Sequence, residues 1–421
     1  MPETKIKAEN TPKQLNNYLY LSFAIAFGYF TFGAITNVAG AIIPKIRETY
    51  SVSPSLSVVL AAVFFIAYGF TSLPWGMLMG TQGKKKTLIL STIVTILGVL
   101  LFANISGFIV NMIAMFICGI GVTGIQVVLN PLVNDISSPE KYSRNLTIFM
   151  VLMGAGSYAA PQLVTLIKNL NLPWTFSYWV FSVLALVMLA LITIQKFPEA
   201  AKEEHSAEPQ LAAKPNKNLV AELLMQKPLI YLYALGIFLY VGVEVGVANT
   251  IGFYLEDKFK ISETLGTGAE ALKNTAISNY WGALLLGRLL SSLYLDKVSA
   301  RLAIQIHSVL AVLMLFLTVT SNDINVVQWT LPAIAWAISI MFPSIYGLTT
   351  KSFDDKYADA ISSILCTAII GGAFIGPVMA KVAELYQGSL EFPNWDAGFI
   401  VAFLCYAYLF VVSLLPVQRS N

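Results

Sequence analysis

The chain has 421 residues, of which 57% are hydrophobic and only 12% are Asp, Glu, Lys or Arg. An ordinary soluble protein carries about twice that charge, roughly 25%. These figures exclude a soluble enzyme, a nucleic-acid binder and a disordered chain, and a net charge of +3 points to no partner by itself.

Residues 1–17 are polar and lack the apolar core of a cleavable signal peptide. Twelve apolar runs follow, near 18–43, 55–79, 87–104, 107–134, 145–167, 174–195, 229–255, 274–295, 302–320, 326–350, 360–380 and 397–416. Each is long enough to cross roughly 30 Å of hydrocarbon as a helix. The runs are solidly apolar rather than alternating, so strands are excluded as the spanning element. The predicted fold is an all-α membrane protein of twelve transmembrane helices. Every Asp, Glu, Lys and Arg except Glu244 and Arg288 lies outside the runs.

Basic residues set the orientation. With the N-terminus inside, 18 Lys and Arg fall on the cytoplasmic side, among them Lys84, Lys85, Lys86, Lys141 and Arg144, against 7 on the other. Both termini are expected in the cytoplasm and the chain in a plasma membrane. The longest connection, 196–228, holds Glu203, Glu204 and His205 with several Lys, Ala and Pro. Its composition is that of a solvated tether. It divides the chain into a six-helix half at 1–195, a linker at 196–228 and a second six-helix half at 229–421.

A weak internal repeat supports two similar halves. Tyr68-Gly69 recurs as Tyr280-Trp281-Gly282, and Pro131 recurs as Pro343, both shifted by 212 residues. Gly154-Ala-Gly-Ser-Tyr-Ala-Ala-Pro161 is echoed by Gly371-Gly-Ala-Phe-Ile-Gly-Pro377. Such pseudo-symmetry suits a carrier that rocks about a site between its halves. The glycines fit either a moving interface or static close packing.

The polar residues inside the runs are the candidate site. Glu244 lies near the middle of the seventh run, where a carboxylate costs roughly 2.5–3.5 kcal/mol on insertion scales. It can carry a proton, hold sodium, accept hydrogen bonds from a sugar hydroxyl, or pair structurally with a neighbouring helix. Arg288 lies late in the eighth run, where a long side chain can snorkel to the interface, and reads as a structural residue at the inner gate. Gln126 and Asn130, four apart, share a helix face. Asn37, Asn249, Asn279 and Trp281 add amides and a ring, a set suited to a polyhydroxylated solute, although each amide alone can be an interhelical bond. Phe342 and Tyr346 with Met150 and Met153 suit an amphipathic compound better. Cys118, Cys366 and Cys405 have no paired spacing, and no metal ligand set, cofactor motif or phosphate-binding loop is present.

Several longer stretches resemble the major facilitator superfamily, and within it the fucose–galactose–glucose proton symporter family. They are Phe238-Leu-Tyr-Val-Gly-Val-Glu244-Val, Tyr280-Trp-Gly-Ala-Leu-Leu-Leu-Gly287-Arg288, Ile340-Met-Phe-Pro343-Ser-Ile-Tyr346 and Ile364-Leu-Cys-Thr-Ala-Ile-Ile-Gly-Gly-Ala373. Asn130-Pro131 and Gly83-Lys-Lys-Lys86 fit as well. The resemblance implies a secondary transporter of a small solute, a hexose or related sugar, coupled to a proton or sodium, acting as a monomer in the bilayer. The chain departs from the family at two acids. Gly40 stands where the family has an aspartate before an Ile-Pro step, and Gln126 stands where it has a glutamate. Met150 and Met153 replace polar residues. Ion coupling then moves to Glu244, which matches a glutamate of many members. Efflux of a drug or siderophore is the alternative, and a membrane sensor that binds without transport is a third.

Overall fold

The computed structural model describes residues 12–137, 142–197, 217–291, 293–294, 298–354, 357–386 and 394–414. The first half is built from α1 (Pro12–Asn37), α2 (Ala39–Tyr50), α3 (Pro54–Gln82), α4 (Lys84–Asn104), α5 (Phe108–Asp135), α6 (Tyr142–Asn169) and α7 (Phe176–Ile194). A short helix α8 (Lys217–Gln226) precedes α9 (Leu229–Phe259), a five-residue turn of helix α10 (Ile261–Leu265), and α11 (Ala269–Ser291). The chain continues through α12 (Ala300–Thr320), α13 (Ile324–Ile338), α14 (Met341–Thr350), α15 (Ala358–Ala368), a 3-10 segment (Ile369–Ala373), α16 (Ile375–Leu385) and α17 (Trp395–Leu414). Of the proposed linker, 198–216 lies outside the described residues, as do the first eleven and last seven residues.

These elements make twelve spanning segments, the major facilitator architecture. Eleven are long and apolar enough to cross a bilayer by composition. The twelfth is α11, whose apolar character is diluted by Glu270, Lys273 and Arg288. Three spans are interrupted, each just ahead of a proline. Pro44 in α2, Pro343 in α14 and Pro377 in α16 cannot donate to the carbonyl four residues upstream, and their rings crowd it. The interruptions fall at Val38, at Ser339–Ile340 and across the 3-10 segment. Val38, Ser339 and Ile340 are fully buried and Gly371, Gly372 and Ala373 are buried, whereas Ile369 and Ile370 are half-buried and Phe374 is exposed. Backbone that leaves the helical pattern at membrane depth must be covered by protein, because lipid offers it no hydrogen bonds.

Helix ends differ from the apolar runs in one respect. Charged residues continue the helix beyond several of them, so α2 carries Lys45, Arg47 and Glu48, and α9 extends through Glu256, Asp257 and Lys258. Hydropathy stops at the first charge, whereas the helix stops at a backbone event. Here those events are Ser51 and Lys260, both with positive φ, at 50° and 47°.

Within the first half α5 packs on α3 and α4, α1 on α6, and α4 on α7; within the second, α13 packs on α11 and α12, and α17 on α9, α12 and α16. Across the halves α6 meets α11, α3 meets α16 and the 3-10 segment, and α2 meets α9. Polar bonds join the halves toward the end bearing the α2–α3, α6–α7 and α16–α17 connections. Glu270 on α11 bridges Lys45 on α2 and Lys168 on α6, each at 2.8 Å. The Ser55 backbone N–H and hydroxyl donate to the two Glu384 carboxylate oxygens at 2.8 and 2.9 Å. Asn274 donates to Thr165 at 2.9 Å.

Gly40 marks a close crossing of the two halves here. A methyl group there would stand 2.6 Å from the Ala248 carbonyl oxygen on α9. Gly40→Ala should therefore cost about 1–3 kcal/mol by forcing α2 and α9 apart. Gly80→Ala, at an exposed helical glycine with nothing within 4 Å, should instead be neutral or stabilising by about 0.5–1 kcal/mol. Thermal unfolding of the two variants in detergent checks this; equal melting temperatures would refute the crossing.

Candidate functional site

Glu244 is the sixteenth of the 31 residues of α9 and is 8% exposed. Tyr240, four residues earlier, shares its face. Arg288 on α11 turns its guanidinium onto this face. Its Nη2 donates to Glu244 Oε1 at 2.8 Å and to the Tyr240 hydroxyl at 3.2 Å. The Tyr280 hydroxyl donates to the Glu244 backbone carbonyl at 3.1 Å. The sequence reading has Arg288 snorkelling toward an interface. The structure replaces that with an ion pair, because two opposite charges in a medium of low polarity gain more from each other than either gains alone. The partners are unequally covered: the Arg288 side chain is 27% exposed and that of Glu244 10%.

Aromatic rings extend from this pair. The Tyr240 ring lies 6.4 Å from Phe342, and Phe342 lies 6.3 Å from Tyr346 with the planes 23° apart. Phe342 and Tyr346 project from α14 just after the Ser339–Ile340 interruption. Trp281 is buried against Tyr280, edge to face at 5.7 Å, and its indole N–H has no acceptor among the described residues.

The first half contributes amides held by tyrosines. Tyr29 on α1 donates to Asn130 Oδ1 at 2.5 Å, and its ring stacks on Phe149 at 5.8 Å. Tyr68 on α3 donates to Gln126 Oε1. Each tyrosine takes the amide oxygen and leaves the amide N–H groups as donors. Both amides are half-buried on one face of α5.

Asn37 donates to the Ser157 hydroxyl at 2.8 Å, and Ser157 in turn bonds the Met153 carbonyl at 3.0 Å. That chain ties α1 to α6. Asn249 is buried on α9 but is five residues from Glu244, about 140° around the helix. Asn279 is exposed on α11. Met150 and Met153 are half-buried on α6. At Gly40, where the resemblance expects an acid, the space is taken by the α9 backbone.

Tyr29, Tyr68 and Tyr240 were not singled out as site residues by sequence. An available signal was a tyrosine inside an apolar run, since a phenol placed in hydrocarbon requires a partner.

The sequence matches the model of the Major Facilitator Superfamily over residues 25–377. The chain belongs to that superfamily. It is 26% identical over 412 residues to a glucose/galactose transporter of Brucella abortus, covering 95% of this chain and 94% of the relative. It is 22% identical over 424 residues to the L-fucose-proton symporter of Escherichia coli K12, covering 93% and 92%. Among solved structures it superposes on FucP in the outward conformation with a TM-score of 0.64 at 17% identity, covering 94% of this chain and 99% of that one. It superposes on the nucleoside transporter NupG with a TM-score of 0.74 at 13% identity, covering 95% and 98%. The chain is thus a multi-pass membrane transporter with the superfamily's twelve-helix fold.

Arg288→Met should destabilise the protein by about 3–5 kcal/mol, since it strands a buried carboxylate. The double variant Glu244→Met/Arg288→Met should recover most of that loss. Unfolding midpoints of the single and double variants measure it; equal losses would show that the pair is not coupled.

Proposed function

We propose that this protein is an ion-coupled symporter of a hexose or closely related sugar, working by alternating access. The observation that carries the reading is the buried Glu244–Arg288 pair beside an aromatic platform, together with first-half amides whose oxygens are held by tyrosines. Amide donors and hydroxyl acceptors suit a neutral polyol, and rings suit the apolar face of a pyranose. The sugar transport named for the Brucella and Escherichia relatives supports this assignment.

In this reading 1–195 and 229–421 are the two moving halves, 196–228 connects them, and the termini lie in the cytoplasm of a bacterial inner membrane. The Glu270 bridge and the Ser55–Glu384 bonds then close the outer end, and solute leaves toward the cytoplasm. Rocking about the α6–α11 and α3–α16 contacts breaks those bonds and opens the outer side. Gln126, Asn130, Phe342 and Tyr346 hold the sugar. Glu244 carries the coupling ion, a proton or sodium, in one stage of the cycle. A single chain contains both halves of the site, so the monomer is the working unit.

Purified protein in liposomes tests the proposal with labelled glucose, galactose and L-fucose. At least one should accumulate under an inward proton or sodium gradient. Glu244→Gln should abolish accumulation against a gradient while leaving exchange of sugar across the membrane. If no sugar moves under either gradient, the sugar assignment falls; if Glu244→Gln still concentrates sugar, the coupling role of Glu244 falls.

A further inference from the structure

We infer that His307 is a positioning residue for the solute site: from α12 it holds the interruption between α13 and α14, and so sets where the Phe342 and Tyr346 rings stand; this rests on the symporter reading above. His307 is 5% exposed. Its Nδ1 lies 2.6 Å from the Ala337 carbonyl oxygen on α13. A carbonyl can only accept, so Nδ1 carries the hydrogen. Nε2 is then the acceptor of the neutral ring, and the Tyr294 hydroxyl donates to it at 2.9 Å. One tautomer thus satisfies both ring nitrogens. The ring also stacks on Trp336 at 5.4 Å and on Tyr294 at 6.2 Å, with planes 27° and 22° apart.

Ala337 belongs to the last four residues of α13, whose carbonyls a helix end leaves short of donors. The backbone ladder is already changing there. The Ser339 N–H reaches back three residues to Trp336 at 3.3 Å, and the Ser339 hydroxyl donates to the same carbonyl at 2.7 Å. Pro343 has no N–H to offer the Ser339 carbonyl. Apolar surroundings supply no donor, so one must come from another helix. α12 packs on both α13 and α14, along both sides of the interruption. From the other side, a methyl group at Gly287 of α11 would stand 2.4 Å from Ser339 Oγ and 3.1 Å from Trp336 Cδ1. The turn before the interruption is therefore clamped between α11 and α12, and the His307 bond fixes its height along α12. Phe342 follows Ala337 by five residues and Tyr346 by nine. A slide or rotation of that turn moves both rings relative to Tyr240, whose ring is 6.4 Å from Phe342.

Two conservative variants of the purified full chain separate the hydrogen bond from the packing of the ring. Asparagine places an amide N–H near the position of Nδ1, and glutamine places its amide near that of Nε2. His307→Asn therefore keeps a donor for Ala337, whereas His307→Gln keeps only the contact with Tyr294. Hydrogen–deuterium exchange without sugar reads the clamp itself. Amides of residues 339–346 should exchange at least about fivefold faster in His307→Gln than in wild type, and within about twofold of wild type in His307→Asn. Equilibrium binding of whichever of glucose, galactose or L-fucose binds wild type most tightly reads the consequence. His307→Gln should bind at least about fivefold more weakly, and His307→Asn within about twofold of wild type. In a Phe342→Ala background the His307→Gln change should cost less than about twofold, because its effect passes through that ring. Equal losses in the two His307 variants would overturn the Nδ1–H bond as the anchor. Additive losses with Phe342→Ala would overturn the route through the rings. Should His307→Gln not fold, Tyr294→Phe decides: it leaves the bond to Ala337 intact and should bind within about twofold of wild type, and a larger loss would overturn the anchor. Unchanged exchange in His307→Gln, with sugar bound normally by wild type, would remove the positioning role and leave the symporter reading intact. No binding of any of the three sugars by wild type would remove the sugar reading and the positioning role together.

Discussion

Hydrocarbon offers no hydrogen bonds to a peptide, and that constraint governs the rest of this protein. It forces the chain into helices wherever it meets lipid. It also decides where the chain can stop being helical. Val38, Ser339, Ile340 and the stretch Gly371–Ala373 are tolerated because protein covers them. The interruptions are therefore confined to surfaces where helices meet, which are the surfaces a rocking carrier uses. Gly40 at the α2–α9 crossing follows the first interruption, and Phe342 and Tyr346 follow the second.

The same lack of solvent explains the polar groups. A lone carboxylate in the middle of α9 would be a liability, so its guanidinium partner comes from α11. Lone amides on α5 would be costly too, and tyrosines from α1 and α3 cap their oxygens. The site is thus two pre-arranged clusters, one charged and aromatic, the other neutral. The neutral cluster keeps spare amide donors, and the charged cluster pairs a carboxylate with a guanidinium.

Much of the fold was legible in the sequence. Span number followed from apolar runs with strong physical meaning in a bilayer, even for α11, whose charges dilute its hydropathy. Helix ends were less legible, because α2 and α9 run on through charged residues until the backbone itself turns at Ser51 and Lys260. The site was partly legible. Glu244, Gln126 and Asn130 stood out as polar residues in apolar surroundings. Composition gave no sign that Asn37 ties α1 to α6, or that Asn279 lies exposed, since a run of apolar residues does not say which face meets which neighbour.

Sequence alone determined the class of the protein, the number of its membrane crossings and the presence of one carboxylate and one arginine at membrane depth. Each of those depends on solvent, and the chemistry of a single residue type reveals it. The tertiary structure decided that the carboxylate and the arginine are one pair. It decided that the acid position of the resembling family is filled here by backbone, and that Glu270 joins the halves through two lysines. Those facts depend on distances between residues 44 to 225 apart in sequence, between helices whose rotation and crossing are set by packing of glycines, rings and prolines from distant parts of the chain.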